Sequence, residues 1–270
     1  MIVISQALAL ALAGQRHANL PVIGWETRVV ASGIAADTEA AGYPATNLAN
    51  HSTAARWQAE DTTDQTIVFT IDAAEDVDYI AIARHNLGTG AVAVSVEWGD
   101  GDSPETWTAL VEEFVPADDG PILCRFVAGA YDRLRISLQP GSVAPRMAVV
   151  YAGKLLVLER GEQSGFTPIP FAHSDEVFRG RSQSGDYLGS IVLRQGLQSQ
   201  INIQHLSFAW FLANMKPFID AAPTQPFFYA WAPQEYPDQV GFAWTTADVR
   251  PTLNAPRLVD VQMSLDAVKL

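Results

Sequence analysis

Tyr43-Pro44-Ala45-Thr46-Asn47-Leu48, Arg56-Trp57, Ile67-Val68-Phe69-Thr70-Ile71, Asp78-Tyr79-Ile80-Ala81-Ile82-Ala83-Arg84-His85-Asn86 and Val92-Ala93-Val94-Ser95-Val96-Glu97-Trp98 follow one another within residues 43–98. Each apolar run is short, β-branched or aromatic, and closed by turn formers, which reads as successive strands of a sandwich. Ile67, Phe69 and Ile71 share one face, Ile80 and Ile82 point to the same core, and Val92, Val94, Val96 and Trp98 oppose Ala93, Ser95 and Glu97. Leu48 and Trp57 pin the intervening polar loop, in which His51 reads as solvated.

The pattern continues outward on both sides. Downstream come an acidic connection over Asp72–Asp78, a Gly99–Glu105 turn, a run through Trp107, Leu110, Val111 and Phe114, the strand Ile122-Leu123-Cys124-Arg125-Phe126, and the alternation Tyr131–Leu138. Met147–Tyr151 completes a sheet system of about seven or eight strands. Upstream, Val29–Gly33 reads as a short strand ending at glycine. The apolar start, Ile2 to Leu12, lacks a basic residue ahead of it and is shorter than a membrane span, so it reads as a first strand or packed arm rather than an export signal.

Composition narrows the function. The 270 residues carry 17 Lys and Arg against 30 Asp and Glu, a formal net charge of −13, which argues against a protein that neutralises nucleic-acid phosphates. With 48% hydrophobic residues the chain is a globular protein able to bury roughly three quarters of its unfolded surface. The single cysteine, Cys124, excludes an intrachain disulfide and a Cys-based zinc site, and its strand setting reads as a buried thiol.

Residues 1–160 therefore read as one β-sandwich with an N-terminal arm, and residues 161–270 as a second unit beginning after the flexible Gly161–Gly165. Here Arg181 to Tyr187 is read as a loop, ahead of strands Ile191–Leu193 and Ile201–Ile203. Phe208, Phe211, Leu212 and Met215 fall at i, i+3, i+4 and i+7, which predicts a helix over 207–216 capped by Ser207 and stopped by Pro217. Two aromatic strands, Pro226–Trp231 and Val240–Trp244, follow. The chain closes on strict alternation, Val259, Val261, Met263 and Leu265 against Asp260, Gln262, Ser264 and Asp266, a half-buried antiparallel strand.

The layout of 43–151, an Asn-bearing loop with Arg56-Trp57, the Tyr79–Ala83 strand, the valine strand and Tyr131-Asp132-Arg133-Leu134-Arg135-Ile136, resembles the discoidin or galactose-binding-like β-sandwich. The second half, with Arg181–Tyr187, one helix and Phe227-Phe228-Tyr229-Ala230-Trp231, resembles the small β-barrels of bacteriophage tail-tube and distal tail proteins. Together they resemble tail-tip components of siphophages and prophages, although the barrel-like half comes last here and first in the usual distal tail protein. The resemblance implies a structural part of the virion, made in the host cytoplasm, forming a ring with copies of itself and contacting tube, hub or tape-measure proteins. An alternative is a carbohydrate-binding adhesion module.

No Gly-x-Gly-x-x-Gly, P-loop, His-Glu-x-x-His or Gly-x-Ser-x-Gly is present, and the five histidines are not at metal-ligand spacing, so no catalytic residue, cofactor or metal is expected. Asp100-Gly101-Asp102 lacks the remaining spaced ligands of a calcium loop. Trp57, Arg84, Asn86 and Trp107 are the candidate glycan contacts, two aromatic platforms with an Arg and an Asn at a strand end. The competing reading makes Trp57 a packing anchor, pairs Arg84 with an acidic loop and uses Asn86 to turn the chain.

Overall fold

The computed structural model describes residues 1–15, 17–71, 76–102 and 105–269. Most of the acidic connection expected over Asp72–Asp78, and Ser103-Pro104 of the Gly99–Glu105 turn, lie outside the described residues.

The chain is mostly β. Its N-terminal half is a sandwich of two sheets. The outer sheet runs Ile34–Ala36, Gln65–Thr70, Arg133–Leu138, Val94–Gly99, Trp107–Phe114, all antiparallel. The inner sheet runs Ile2–Ile4, Ile122–Gly129, Val77–Ala83, Val149–Gly153, and its first pair is parallel. Ile67, Phe69, Val94, Val96, Leu134 and Ile136 of the outer sheet meet Ile80, Ile82, Ile122, Cys124, Phe126 and Val150 of the inner one. Upstream, the short strand lies at Ile34–Ala36 instead of Val29–Gly33, where Ala31–Gly33 makes a 3-10 turn.

The other face of the inner sheet is also covered. Tyr79, Ala81, Ala83, Leu123, Val149 and Tyr151 pack against Val22, Phe228, Ala230, Val240 and Phe242 of a third sheet. That sheet runs Leu156–Val157, Val22–Gly24, Phe227–Ala230, Val240–Thr245, Leu258–Ala267, Leu197–Ser207, with Thr252–Ala255 added on Leu258–Ala267. Val22–Gly24 is thus laced from the first half of the chain into the second, across the division at residue 160. Gly24 sits where a Cβ would lie 2.8 Å from the Tyr79 ring, so only glycine lets the two sheets approach this closely.

On its far side the third sheet packs Ile23, Phe227, Tyr229, Val261, Met263 and Leu265 against one helix. That helix spans 208–221, longer than the predicted 207–216. Pro217 does not stop it, because Phe211–Met215 widens into a π turn immediately before, at the point where proline lacks an N–H and its ring crowds the preceding turn. The buried stripe is Phe211, Met215, Phe218 and Ala222, while Phe208 and Leu212 stay exposed.

The barrel expected for the second half does not close. Leu156–Val157 is two residues long, too short to pair along Leu197–Ser207. Instead residues 159–163 stitch the seam, with carboxylates where a strand would have offered carbonyls. Glu159 accepts from Ser207 N–H (2.7 Å) and Oγ–H (3.0 Å), and Glu162 accepts from Asn202 N–H (2.9 Å) and the Tyr229 hydroxyl. One backbone bond, Gln163 N–H to Asn202 O, completes it at 3.1 Å. The open edge is blunted without another strand. The loop read over 181–187 is the tip of a hairpin, Glu176–Arg181 with Tyr187–Arg194.

The seam titrates. Burial pushes the Glu162 carboxyl up to about 7, against the pull of its Tyr229 and Asn202 hydrogen bonds. The folded chain therefore keeps a proton that the unfolded chain releases near its ordinary value of 4.5, and stability falls as pH rises from about 4.5 to about 7. Glu162→Gln is expected to melt with the parent at pH 5 and to exceed it at pH 8, by on the order of 1–3 kcal/mol. Thermal unfolding of both at the two pH values checks this, and parallel profiles would show that Glu162 does not carry the dependence.

Candidate functional site

Strand register builds the site. Trp244 and Gln198 are both cross-strand partners of Asp266, one on each side of the strand Leu258–Ala267. Side chains paired across neighbouring strands project to one face, and strands lie about 4.8 Å apart, so Gln198, Asp266 and Trp244 form a row roughly 10 Å long. It continues the Phe242 face two residues on, past the end of the cover that the inner sheet provides. Phe242 is 1% exposed and Trp244 is 38% exposed.

The row forms one wall of a cleft of about 580 Å³ between the C-terminal sheet and the loop end of the sandwich. Thr53 and Arg84 come from the sandwich, and Asp175, Glu176 and Arg194 from the base of the hairpin. Lys269 crosses the floor, its Nζ donating to both oxygens of Asp175 at 2.9 and 2.8 Å. That bond holds the Asp175 carboxyl below its ordinary range. Arg194 approaches Asp266 at 3.9 Å, and Arg84 Nη1 donates to Lys269 O at 3.4 Å. An aromatic plate, an amide, carboxylates and cations thus border one polar space, the set that hydrogen-bonds hydroxyls around a stacking surface.

Only one of the four sequence candidates lines this cleft. Arg84 does, held at a φ of 54°, the left-handed region that a non-glycine residue seldom occupies. Trp57 is fully buried in the sandwich core, with Nε1 donating to Thr38 O at 3.0 Å, so neither ring face is open. Asn86 is buried and spends its side chain on the backbone, Nδ2 donating to Ala144 O at 3.0 Å and Oδ1 accepting from Arg146 N–H at 2.8 Å. Trp107 is half-buried on the far edge of the outer sheet, its ring covered by the Arg135 guanidinium at 4.2 Å. The four do not converge.

Trp244, Asp266 and Gln198 escaped notice because their signal is the polar half of an ordinary alternation. Only the pairing of three distant strands aligns them. Cys124 is buried, and burial pushes its thiol up to about 12, so it is not a nucleophile at neutral pH. Among the described residues, no group of three or more His, Cys, Asp and Glu is arranged to hold a metal ion, and no helix is long and apolar enough to cross a membrane.

No protein-family model matches the chain, and no curated protein does. Solved structures do match over about half of the chain. A chitosan-binding module of a chitosanase/glucanase from Paenibacillus sp. IK-5 aligns at 14% identity and TM-score 0.43, covering 48% of this chain and 99% of the module. A pectin-binding carbohydrate-binding module aligns at 12% identity and TM-score 0.39, over 48% of this chain and 93% of its own. A Clostridium perfringens module solved with GalNAc-β-1,3-galactose aligns at 9% identity and TM-score 0.39, over 47% and 99%. These neighbours are carbohydrate-binding modules, and at such scores the site reading rests on the geometry above.

The two tryptophans separate by stability. Trp57→Ala is expected to cost about 3–5 kcal/mol, whereas Trp244→Ala stays within about 0.5 kcal/mol of the parent. Chemical denaturation of both variants checks the assignment of one to the core and the other to the cleft.

Proposed function

We propose that the protein is a non-catalytic carbohydrate-binding module that takes a saccharide in the cleft beside Gln198, Asp266 and Trp244. The single observation that carries this is the row itself, an exposed indole beside a carboxylate and an amide on one sheet face, in a space of saccharide size. A pyranose stacks its C–H face on the indole while its hydroxyls bond the flanking polar groups. Glycoside cleavage calls for two carboxyls across one bond, one of them raised. The carboxyls that burial does raise, Asp78 to about 6 and Glu162 to about 7, line neither the cleft nor each other. Titration of neutral and acidic oligosaccharides, followed by tryptophan fluorescence and calorimetry, tests the reading. Trp244→Ala is expected to weaken binding about tenfold, near 1.4 kcal/mol. A chain that binds no saccharide at millimolar concentration would dispose of it.

A second reading is favoured by the hairpin. Phe178 and Ile191 pair on one face, Val177 and Val192 on the other, and Leu188 and Leu193 add to them, with exposures of 51–68% for all but Val177. Apolar side chains on both faces of a projecting ribbon call for cover on both sides. Residues 176–194 carry Arg179, Arg181 and Arg194 against Glu176 and Asp186, a net positive charge in a chain of net charge −13, so the arm complements the acidic body of another copy. On this reading the chain is a structural part of a phage tail tip or baseplate, a ring at the distal end of the tube in contact with tube, hub or tape-measure proteins. Light scattering after size exclusion should then give a ring-sized oligomer that becomes monomer when residues 179–191 are replaced by a two-residue turn. A monomer in both cases removes the self-assembling form of this reading.

A further inference from the structure

Beside the cleft lies a second cavity of about 370 Å³, which shares Thr53, Arg84, Val268 and Lys269 with it as lining. Its wall carries Arg56, Arg84, Arg146 and Lys269 against one carboxylate, Asp119. This is an unusual gathering in a chain with 17 basic and 30 acidic residues. The carboxylate is already committed, accepting from Thr89 N–H at 2.9 Å and Thr89 Oγ1–H at 2.8 Å. His85, also in the wall, is neutral at pH 7, because burial pulls its imidazole down to about 4. Lys269 is bonded to Asp175.

Among the described residues, the three arginines have no such partner. Elsewhere in the chain Arg28, Arg133, Arg135 and Arg194 each meet a carboxylate. Among the described residues, no salt bridge reaches Arg56, Arg84 or Arg146. Arg56 is held over the Tyr43 ring at 4.8 Å, with its Nε buried and unbonded. Arg84 adopts its left-handed φ to reach the cavity mouth, a backbone strain that persists only where surroundings enforce it. Arg146 is exposed, its backbone N–H fixed by Asn86. Three guanidiniums around one space repel each other unless an anion sits among them, and the guanidinium fork fits the planar oxygens of a carboxylate or the face of a sulfate.

We infer that this cavity is an anion subsite of the cleft, taking the carboxylate or sulfate group of an acidic saccharide whose ring stacks on Trp244. The inference rests on the saccharide reading above and adds the class of sugar. Its probe is tri-galacturonic acid compared with the methyl-esterified trimer, which keeps the ring shape and removes the charge. The acid should bind at least tenfold tighter than the ester at low salt, and the margin should shrink as salt screens the contact. Arg146→Gln should bring the acid to within about threefold of the ester and leave ester binding unchanged. Arg146 is exposed and offers a variant that folds, and sulfated galactose replaces the acid trimer to separate a carboxylate preference from a sulfate one. Equal binding of acid and ester, in the sulfated pair as well, overturns the anion subsite and leaves the saccharide reading standing. Binding of neither overturns both.

Discussion

Everything in this molecule hangs on a strand with no solvent face. Val77–Ala83 sends Ile80 and Ile82 into the sandwich and Tyr79, Ala81 and Ala83 into the C-terminal sheet. Its two alanines let the second sheet come close, and Tyr79 takes the remaining depth, its hydroxyl donating to Glu26 O. On the other side Phe228 and Phe242 pack at 4.8 Å between ring centroids, with Tyr151 edge-on to both. Each such aromatic buries enough surface for about 1.5–3 kcal/mol, with roughly 0.5–1.5 more per well-set pair. The two halves of the chain are joined by a core.

The same constraint makes the cleft. Sheets held together at Tyr79 and Phe228 must part where the inner one ends at Ala83, while the C-terminal sheet runs on through Trp244 and Asp266. Beyond that edge the face that carries Phe242 has nothing to cover it, so it turns from aromatic to polar within two residues. Arg84 stands at the parting, on the left-handed turn that ends the shared strand. Buried face and cleft wall are consecutive stretches of one sheet face.

This explains what the sequence made legible. Alternation found Gln65–Thr70, Val94–Gly99 and Arg133–Leu138 of the outer sheet and Leu258–Ala267, because one face of each looks at a core and the other at water. It found Ile80 and Ile82 but not the second role of Tyr79, Ala81 and Ala83, since a strand covered on both faces has no polar half to read. Proline rules set the helix end at Pro217, and the π turn over Phe211–Met215 overrode them. The barrel expectation failed on two residues: a strand of Leu156-Val157 cannot close a cylinder, and Glu159 and Glu162 seal the seam with side chains, which no periodicity encodes. Trp57 and Asn86 have the right chemistry for a sugar but are consumed by the core and a turn. Gln198, Trp244 and Asp266 come from three strands and lie 22 to 68 positions apart, an alignment visible only once register is known.

The hairpin and the cleft share their foundation. Glu176 and Arg194 are the first cross-strand pair of the ribbon and also line the cleft. Arg194 reaches toward Asp266, the middle of the row beside Trp244, at 3.9 Å. A ligand that accepts a hydrogen bond from Arg194 or donates one to Asp266 acts on the joint about which the arm is set, and a surface that clamps the arm acts on the position of Arg194. Linkage makes such an effect reciprocal. A molecule seated in the cleft and a surface set against the arm would then load one joint.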